Sequence, residues 1–193
     1  MAEVVTETDR LRLRDWEDGD EAAFYAVMNT PQVMQHLGGV QTTEEWNAAF
    51  ERIRSYSRDF GHTFWIVEDK VSGELQGFCG LKRVNSPGAG DLTGQFEIGW
   101  RLRERAWGKG IAKEAAITSL DVAFGRFSAP HVVALTVESN KSSQGLMERL
   151  GMNRRPDLDF WDERFGPELN PSLIWRIDAH EWPAARARAL KPR

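Results

Sequence analysis

The chain has 193 residues, enough for one compact domain with a sizeable core and too few for two comfortable ones. Apolar residues make up 41% and charged residues 28%, which excludes a disordered or fibrous chain. The net charge of -4 argues against broad nucleic-acid binding, where a basic footprint is expected.

The N-terminal stretch MAEVVTETDR lacks the basic-then-apolar pattern of a leader, and no apolar run approaches the ~20 residues of a membrane span. The expected location is therefore the cytoplasm, away from membranes. A single cysteine, Cys79, cannot form an internal disulfide, fits a reducing compartment and reads as a small core residue. Eight Trp and ten Phe are many for this length; they serve as core fillers or line a pocket.

The predicted elements open with Arg10-Leu11-Arg12-Leu13-Arg14, whose period of two suggests a half-exposed strand. Asp18 with Glu21 resembles a capping box ahead of a helix carrying Ala23, Phe24, Val27 and Met28 on one face, and Pro31 ends it. Thr42 with Glu45 marks a second start, leading into Trp46, Phe50, Ile53 and Phe60 at helical spacing. Three strands follow, at 63–68, 75–82 and 94–102, the first two joined by a hairpin turn. A long helix over 111–127 turns Ala116, Leu120, Ala123, Phe124 and Phe127 inward. After it come a strand at 132–137, a helix over 140–150 stopped by Gly151, and strand-like pieces at 152–159 and 173–178 around a loop at 160–172. Hairpins followed by one strand–helix–strand crossover predict an α/β (α+β) fold, with a mixed, mostly antiparallel sheet of about seven strands and helices on both faces. One domain is expected over 1–193, with a core at about 8–178 and a tail at 179–193.

The chemistry concentrates between Phe96 and Ala115. A strand ending Glu97-Ile98-Gly99-Trp100-Arg101-Leu102 reaches a turn containing Gly108 and Gly110, and a helix starts at once. Free N–H groups at a helix N-terminus, with the helix dipole, suit an anion, and glycines allow close approach to a pyrophosphate. Arg101, Arg103, Arg105, Lys109 and Lys113 put basic residues in this window of an acidic chain. The same letters also describe a plain strand-to-helix turn with solvated charges. No Gly-x4-Gly-Lys-Ser/Thr occurs, and Gly108-x-Gly110-x-Ala112 lacks the dinucleotide spacing.

This run resembles the GCN5-related N-acetyltransferases (GNAT), most closely their RimJ/RimL-like branch. The family's Arg/Gln-x-x-Gly-x-Gly/Ala motif is matched in two registers. Arg105-x-x-Gly108-x-Gly110 satisfies the letters; Trp107-Gly108-Lys109-Gly110-Ile111-Ala112 sits better relative to the strand and is preferred. Downstream, Asn140-Lys141-Ser142-Ser143 and Met147 to Met152 resemble the family's Asn-x-x-Ser and its helix ending in Gly-hydrophobic. Leu11 to Arg14, Gly77-Phe78-Cys79-Gly80 and Glu97-Ile98-Gly99-Trp100 match more loosely.

The resemblance implies a V-shaped splay between the strands flanking the long helix. Acetyl-CoA would be gripped by the backbone of Trp107, Gly108, Lys109, Gly110, Ile111 and Ala112, with its pantetheine arm against Trp100 and Leu102. Glu97 is implied either as the base that frees the amine of its proton or as a structural or acceptor-binding acid. Asn140 would hold the cofactor or cap its helix. Met147 occupies the family's usual tyrosine slot and cannot donate a proton, so Ser143 is implied as the donor to the thiolate, or else as a neighbour of the cap. The acceptor is an amine, on a protein N-terminus or a small molecule; the chain's acidity would suit a cationic one. Trp46, Phe50, Phe160 and Trp161 are candidates for its pocket or for a dimer contact, so the chain is expected as a monomer or homodimer. Asp162 and Glu163 would order a water there or be solvated. His36, His62, His131 and His180 lack ligand spacing, so no metal is expected. A coenzyme-A-binding module without turnover, or an enzyme for a longer acyl group, are the alternatives.

Overall fold

The computed structural model describes residues 2–191. Its strands are β1 (Val4–Glu7), β2 (Leu11–Arg14), β3 (Phe64–Asp69), β4 (Leu75–Arg83), β5 (Phe96–Leu102), β6 (His131–Thr136), β7 (Asn153–Arg154) and β8 (Leu173–Asp178). Its helices are α1 (Asp20–Met28), α2 (Pro31–Met34), α3 (Thr43–Phe60), α4 (Ile111–Gly125), α5 (Lys141–Arg149) and α6 (Trp182–Ala189). The eight strands form a mixed sheet in the order β1-β2-β3-β4-β5-β6-β8-β7. The strand beyond the expected seven is β1, which pairs antiparallel with β2. Contacts divide the chain into two compact units. One holds the chain up to Lys82 together with Gly99–Ser119; the other holds Arg83–Ile98 and the chain from Leu120 onward.

In the first unit β1 to β4 form an antiparallel meander. Leu11 and Leu13 are fully buried and Arg12 faces out, as the alternation predicts. Arg14 breaks that alternation. It is buried, donates to both carboxylate oxygens of Asp20 at 2.6 and 2.9 Å, and reaches Glu68 through Nε at 3.0 Å. Asp20 also accepts from the Glu17 N–H at 2.8 Å. This pairing replaces the expected Asp18–Glu21 capping box: Gly19 takes the N-cap position and α1 has no side-chain cap. The Thr42–Glu45 box forms in both directions at the start of α3. Pro31 opens α2 rather than closing α1, with Thr30 accepting the Val33 N–H.

Phe24, Trp46, Phe50, Ile66 and Phe78 form the core between α1, α3 and the meander. Trp46 and Phe50 are 3% exposed, so they are core residues. Phe60, expected on the same face, is exposed at the end of α3.

In the second unit β5 pairs in parallel with β6, Glu97 lying opposite Val133, and β6 pairs antiparallel with β8 along its whole length. The strand expected at 152–159 shortens to β7, because Pro156 has no N–H for a ladder and instead opens a 3-10 turn, Pro156–Leu158. The tail expected at 179–193 contains α6. Trp182 donates its indole N–H to Asp121 at 2.8 Å and packs on Phe124, with ring centroids 5.9 Å apart. Ala185 seats against Gly151, where a Cβ would come within 2.7 Å of the alanine methyl.

Arg14→Met should leave the buried Asp20 carboxylate uncompensated, while Glu68 keeps its pairing with Arg12 at 3.0 Å, and cost about 3 kcal/mol. Urea unfolding against the parent chain, with the m-value unchanged, would measure this; a loss below about 1 kcal/mol would show that the pair is not a structural anchor.

Candidate active site

The glycine turn is built from opposed local demands. Gly108 and Gly110 have φ of 72° and 77°, a region where a Cβ meets the following carbonyl. No protein atom lies within 4 Å of a Cβ placed on Gly108, so there glycine serves the backbone conformation and not a close contact. Helix α4 begins at the next residue, Ile111. Among the described residues, the backbone N–H groups from Gly108 to Ala112 donate to no protein acceptor, whereas the Glu114 N–H closes the first helical bond onto Gly110 O at 3.0 Å.

Four side chains, Arg10, Glu114, Thr8 and Trp107, fix this turn. Arg10 donates to Lys109 O at 3.2 Å and, through Nε and Nη2, to Glu114 Oε2 at 2.8 and 2.5 Å. Thr8 donates to the other oxygen of Glu114 at 2.5 Å. Arg10 and Glu114 lie over 100 positions apart in sequence, so no local pattern announces the clamp. Trp107, the departure from the family's letters, is exposed and donates its indole N–H to Leu102 O at 2.8 Å. It thereby ties the end of β5 to the turn and accounts for a tryptophan in that slot.

The basic residues of this segment separate. Arg105 and Lys109 are exposed. Arg103 donates to Leu75 O at 3.2 Å, tying it to β4. Arg101 is half-buried with its guanidinium 5.3 Å from the centre of the Phe78 ring, and burial lowers its pKa to about 10. Gly77 opposes this stretch of β5: a Cβ there would lie 2.1 Å from Arg101 O, so only glycine lets the strands approach.

Trp100, Leu102 and the residues from Trp107 to Ala112 belong to the first unit, whereas Glu97, Asn140 and Ser143 belong to the second. Glu97 is buried in β5. Asn140 accepts the Ser143 N–H at 3.1 Å and caps α5; the Ser142 hydroxyl also donates to it at 3.0 Å. Met147 is 1% exposed. Cys79 is fully buried, its thiol pushed up to about 12, which suits packing and not nucleophilic chemistry.

Of the two acids in the loop between Phe160 and Ser172, expected to order a water or be solvated, Asp162 is buried and Glu163 is exposed. Asn170 accepts the Asp162 N–H at 2.8 Å and donates to the carbonyls of Asp162, Phe165 and Gly166. Asp162 is 1% exposed and accepts from the Arg164 guanidinium at 2.9 and 2.5 Å; Arg164 also reaches the Ser86 hydroxyl at 2.9 Å. Burial alone would raise the Asp162 pKa, but the Arg164 hydrogen bonds outweigh it and hold the carboxyl below its usual 3.8. Phe160 is buried with Val84, Val133 and Ile174, while Glu163 and Trp161 are exposed.

Residues 10–153 match the family model of the acetyltransferase (GNAT) domain. Over 160 residues the chain is 34% identical to the uncharacterized protein YkkB of Bacillus subtilis (strain 168), covering 81% of this chain and 89% of that protein. The crystal structure of the acetyltransferase from Agrobacterium tumefaciens str. C58 superposes with a TM-score of 0.73 at 27% identity, covering 89% of this chain and 92% of that one. Spermidine N-acetyltransferase from Vibrio cholerae, solved in complex with CoA and spermine, gives a TM-score of 0.69 at 18% identity, covering 91% and 99%, a likeness of fold alone.

Because the Asp162 pKa is lowered on folding, its contribution to stability is present above the ordinary carboxylate value and is lost as pH falls through the folded value. Asp162→Asn should therefore be destabilised relative to the parent chain at about pH 6, with the gap closing toward about pH 2. Denaturation midpoints of both proteins across that range check this; a gap independent of pH would locate the effect in packing.

Proposed function

The chain belongs to the GNAT acetyltransferase family, whose reaction carries an acyl group from acyl-coenzyme A to an amine, and from that premise we propose that it is an N-acetyltransferase using acetyl-CoA. The observation that carries the proposal is the row of undonated N–H groups from Gly108 to Ala112 at the start of α4. Backbone donors at a helix N-terminus, with exposed Lys109 and Arg105 beside them, are complementary to a diphosphate. The likeness to the RimJ/RimL branch supports the roles of individual residues. Residues 107–112 hold the pyrophosphate, and the strand backbone at Trp100 and Leu102 guides the pantetheine arm. The whole chain, 1–193, acts as one catalytic domain in the cytoplasm.

The chemistry is direct attack of a neutral primary amine on the thioester carbonyl. An alkyl amine is mostly protonated at neutral pH, so a proton must leave before attack. Glu97, a buried carboxylate on β5, is assigned to accept it. As the intermediate collapses the nitrogen sheds its second proton and the thiolate gains one, and the Ser143 hydroxyl is assigned to relay that proton and so ends neutral, since Met147 has none to give. Asn140, already capping α5, holds Ser143 in place through the backbone bond at 3.1 Å.

Gly110→Asp places a carboxylate where the diphosphate is assigned and should raise the Kd for acetyl-CoA at least about a hundredfold in calorimetry; undiminished affinity would end the cofactor assignment. Glu97→Gln and Ser143→Ala should keep acetyl-CoA affinity while at least one loses turnover by about a hundredfold or more. A parent chain that binds acetyl-CoA but acetylates no amine would instead be the sensing module.

A further inference from the structure

Arg101 is anomalous among the arginines of this chain. It is half-buried on β5, its Nε is wholly buried without an acceptor, and among the described residues its guanidinium makes neither a hydrogen bond nor an ion pair. Its described contact is the Phe78 ring, 5.3 Å away. Arg14, on β2, shows what this fold does with a buried guanidinium it must neutralise: two carboxylates, Asp20 and Glu68, meet it. A guanidinium stripped of part of its water and given no counter-charge is costly, and cation–π attraction offsets only a fraction of that cost. Even with its pKa lowered to about 10, the group stays cationic at neutral pH.

Its direction is fixed by the strand. Alternation puts Gly99 and Arg101 on one face and Trp100 and Leu102 on the other. A Cβ on Gly99 would lie 2.8 Å from the Phe64 ring, Arg101 meets Phe78, and Phe64 and Phe78 stack at 4.7 Å. Phe78 in turn stacks on Phe24 of α1 at 5.5 Å. Arg101 therefore projects toward the α1/α3 side of β5. The glycine turn, where the proposed function seats the diphosphate, follows the end of the strand at Leu102.

We infer that Arg101 is a specificity-determining residue that pairs with an anionic group, a carboxylate or phosphate, carried by the amine acceptor. This rests on the acyl-transfer reading for the amine and adds the second recognition element of its substrate. The planar edge formed by its two Nη groups matches either oxyanion group, and half-burial strengthens the pairing over what the same charges achieve in water. The acceptor class is thus a primary amine with a nearby negative charge, such as an amino acid or an aminoalkyl phosphate. This departs from the cationic acceptor that the chain's net charge would favour.

The test uses matched probes that differ only in the anion: phenylalanine against phenylalaninamide, and phosphoethanolamine against ethanolamine. Each is titrated calorimetrically into the full chain, with and without saturating CoA, and assayed as an acceptor of acetyl-CoA. At least one anionic probe should bind about tenfold or more tightly than its neutral partner, and the pair that does so distinguishes carboxylate from phosphate. Arg101→Gln should abolish that preference through Kd and KM, leaving kcat within about twofold; Arg101→Lys should restore part of it. Acetyl-CoA affinity should be unchanged in both variants. Equal binding of every matched pair by the parent chain overturns the inference, without need of any variant. A fall in acetyl-CoA affinity in Arg101→Gln also overturns it, by assigning the guanidinium to the cofactor. A parent chain that discriminates anionic probes yet fails to bind acetyl-CoA would sink the acyl-transfer reading and leave the anion site standing.

Discussion

A helix that starts immediately after two glycines with positive φ has N–H groups that nothing behind them can accept. The strand-to-helix passage from β5 to α4 is organised around that fact. Leu102 ends β5, the Trp107 indole returns to its carbonyl, Gly108 and Gly110 reverse the backbone, and α4 begins before any side chain can cap it. Most helices satisfy such donors with a Ser, Thr or Asp, as Thr42 does for α3 and Asn140 for α5. Here the nearest acid, Glu114, is turned away from them and bound to Arg10 and Thr8. A carboxylate in the first turn of a helix would ordinarily serve the dipole itself. Holding it in an ion pair keeps the amides open and anchors the turn to the meander within the same unit.

Arg14, buried, and Arg101, half-buried, show the same economy of charge from opposite sides. Arg14 lies in a closed network whose members are all supplied by the fold, and its protonation is reinforced by the bidentate bond to Asp20. Arg101 is half-buried, its Nε wholly so, without the network. The difference is not one of residue type or of strand position, since both sit near strand ends. It is a difference in what the sequence places opposite them: carboxylates for one, a phenylalanine ring for the other. A ring attracts a cation yet accepts none of its N–H bonds in full, so it holds the guanidinium ready for a partner without replacing it.

Much of the framework was legible because it follows short-range rules. The alternation of Leu11 and Leu13, the Thr42–Glu45 box, the strand at 173–178 and the glycine turn each rest on residues within a few positions of one another. What escaped sequence reasoning depends on distant partners. Asp20 rather than Asp18 organises the start of α1 because Arg14, itself paired with Glu68, donates to it. Helix α6 was read as a tail because its Ala/Arg alternation has no helical stripe; Asp121 and Gly151, far away in sequence, give it a seat. The order within the 160–172 loop comes from Asn170, a residue whose letter usually means a turn. The site divides along the same line. The glycine turn could be read from its letters, but the lack of a counter-charge at Arg101 is a property of the folded neighbourhood and of no motif.

Charge operates here on two scales that need not agree. The net charge of -4 is spread over the surface and falls away within a Debye length, about 8 Å in physiological salt. It tilts the encounter with cations but cannot choose among them at contact. A half-buried guanidinium acts over one hydrogen-bond length, in surroundings where the same pair of charges is worth more than in water. Discrimination between an amine that bears an anion and one that does not is set at that distance, because leaving Arg101 desolvated and unpaired penalises the neutral competitor. An acidic chain can therefore prefer an acidic substrate. On the inference drawn for Arg101, the long-range field would slow its arrival modestly and the one guanidinium would decide whether it stays.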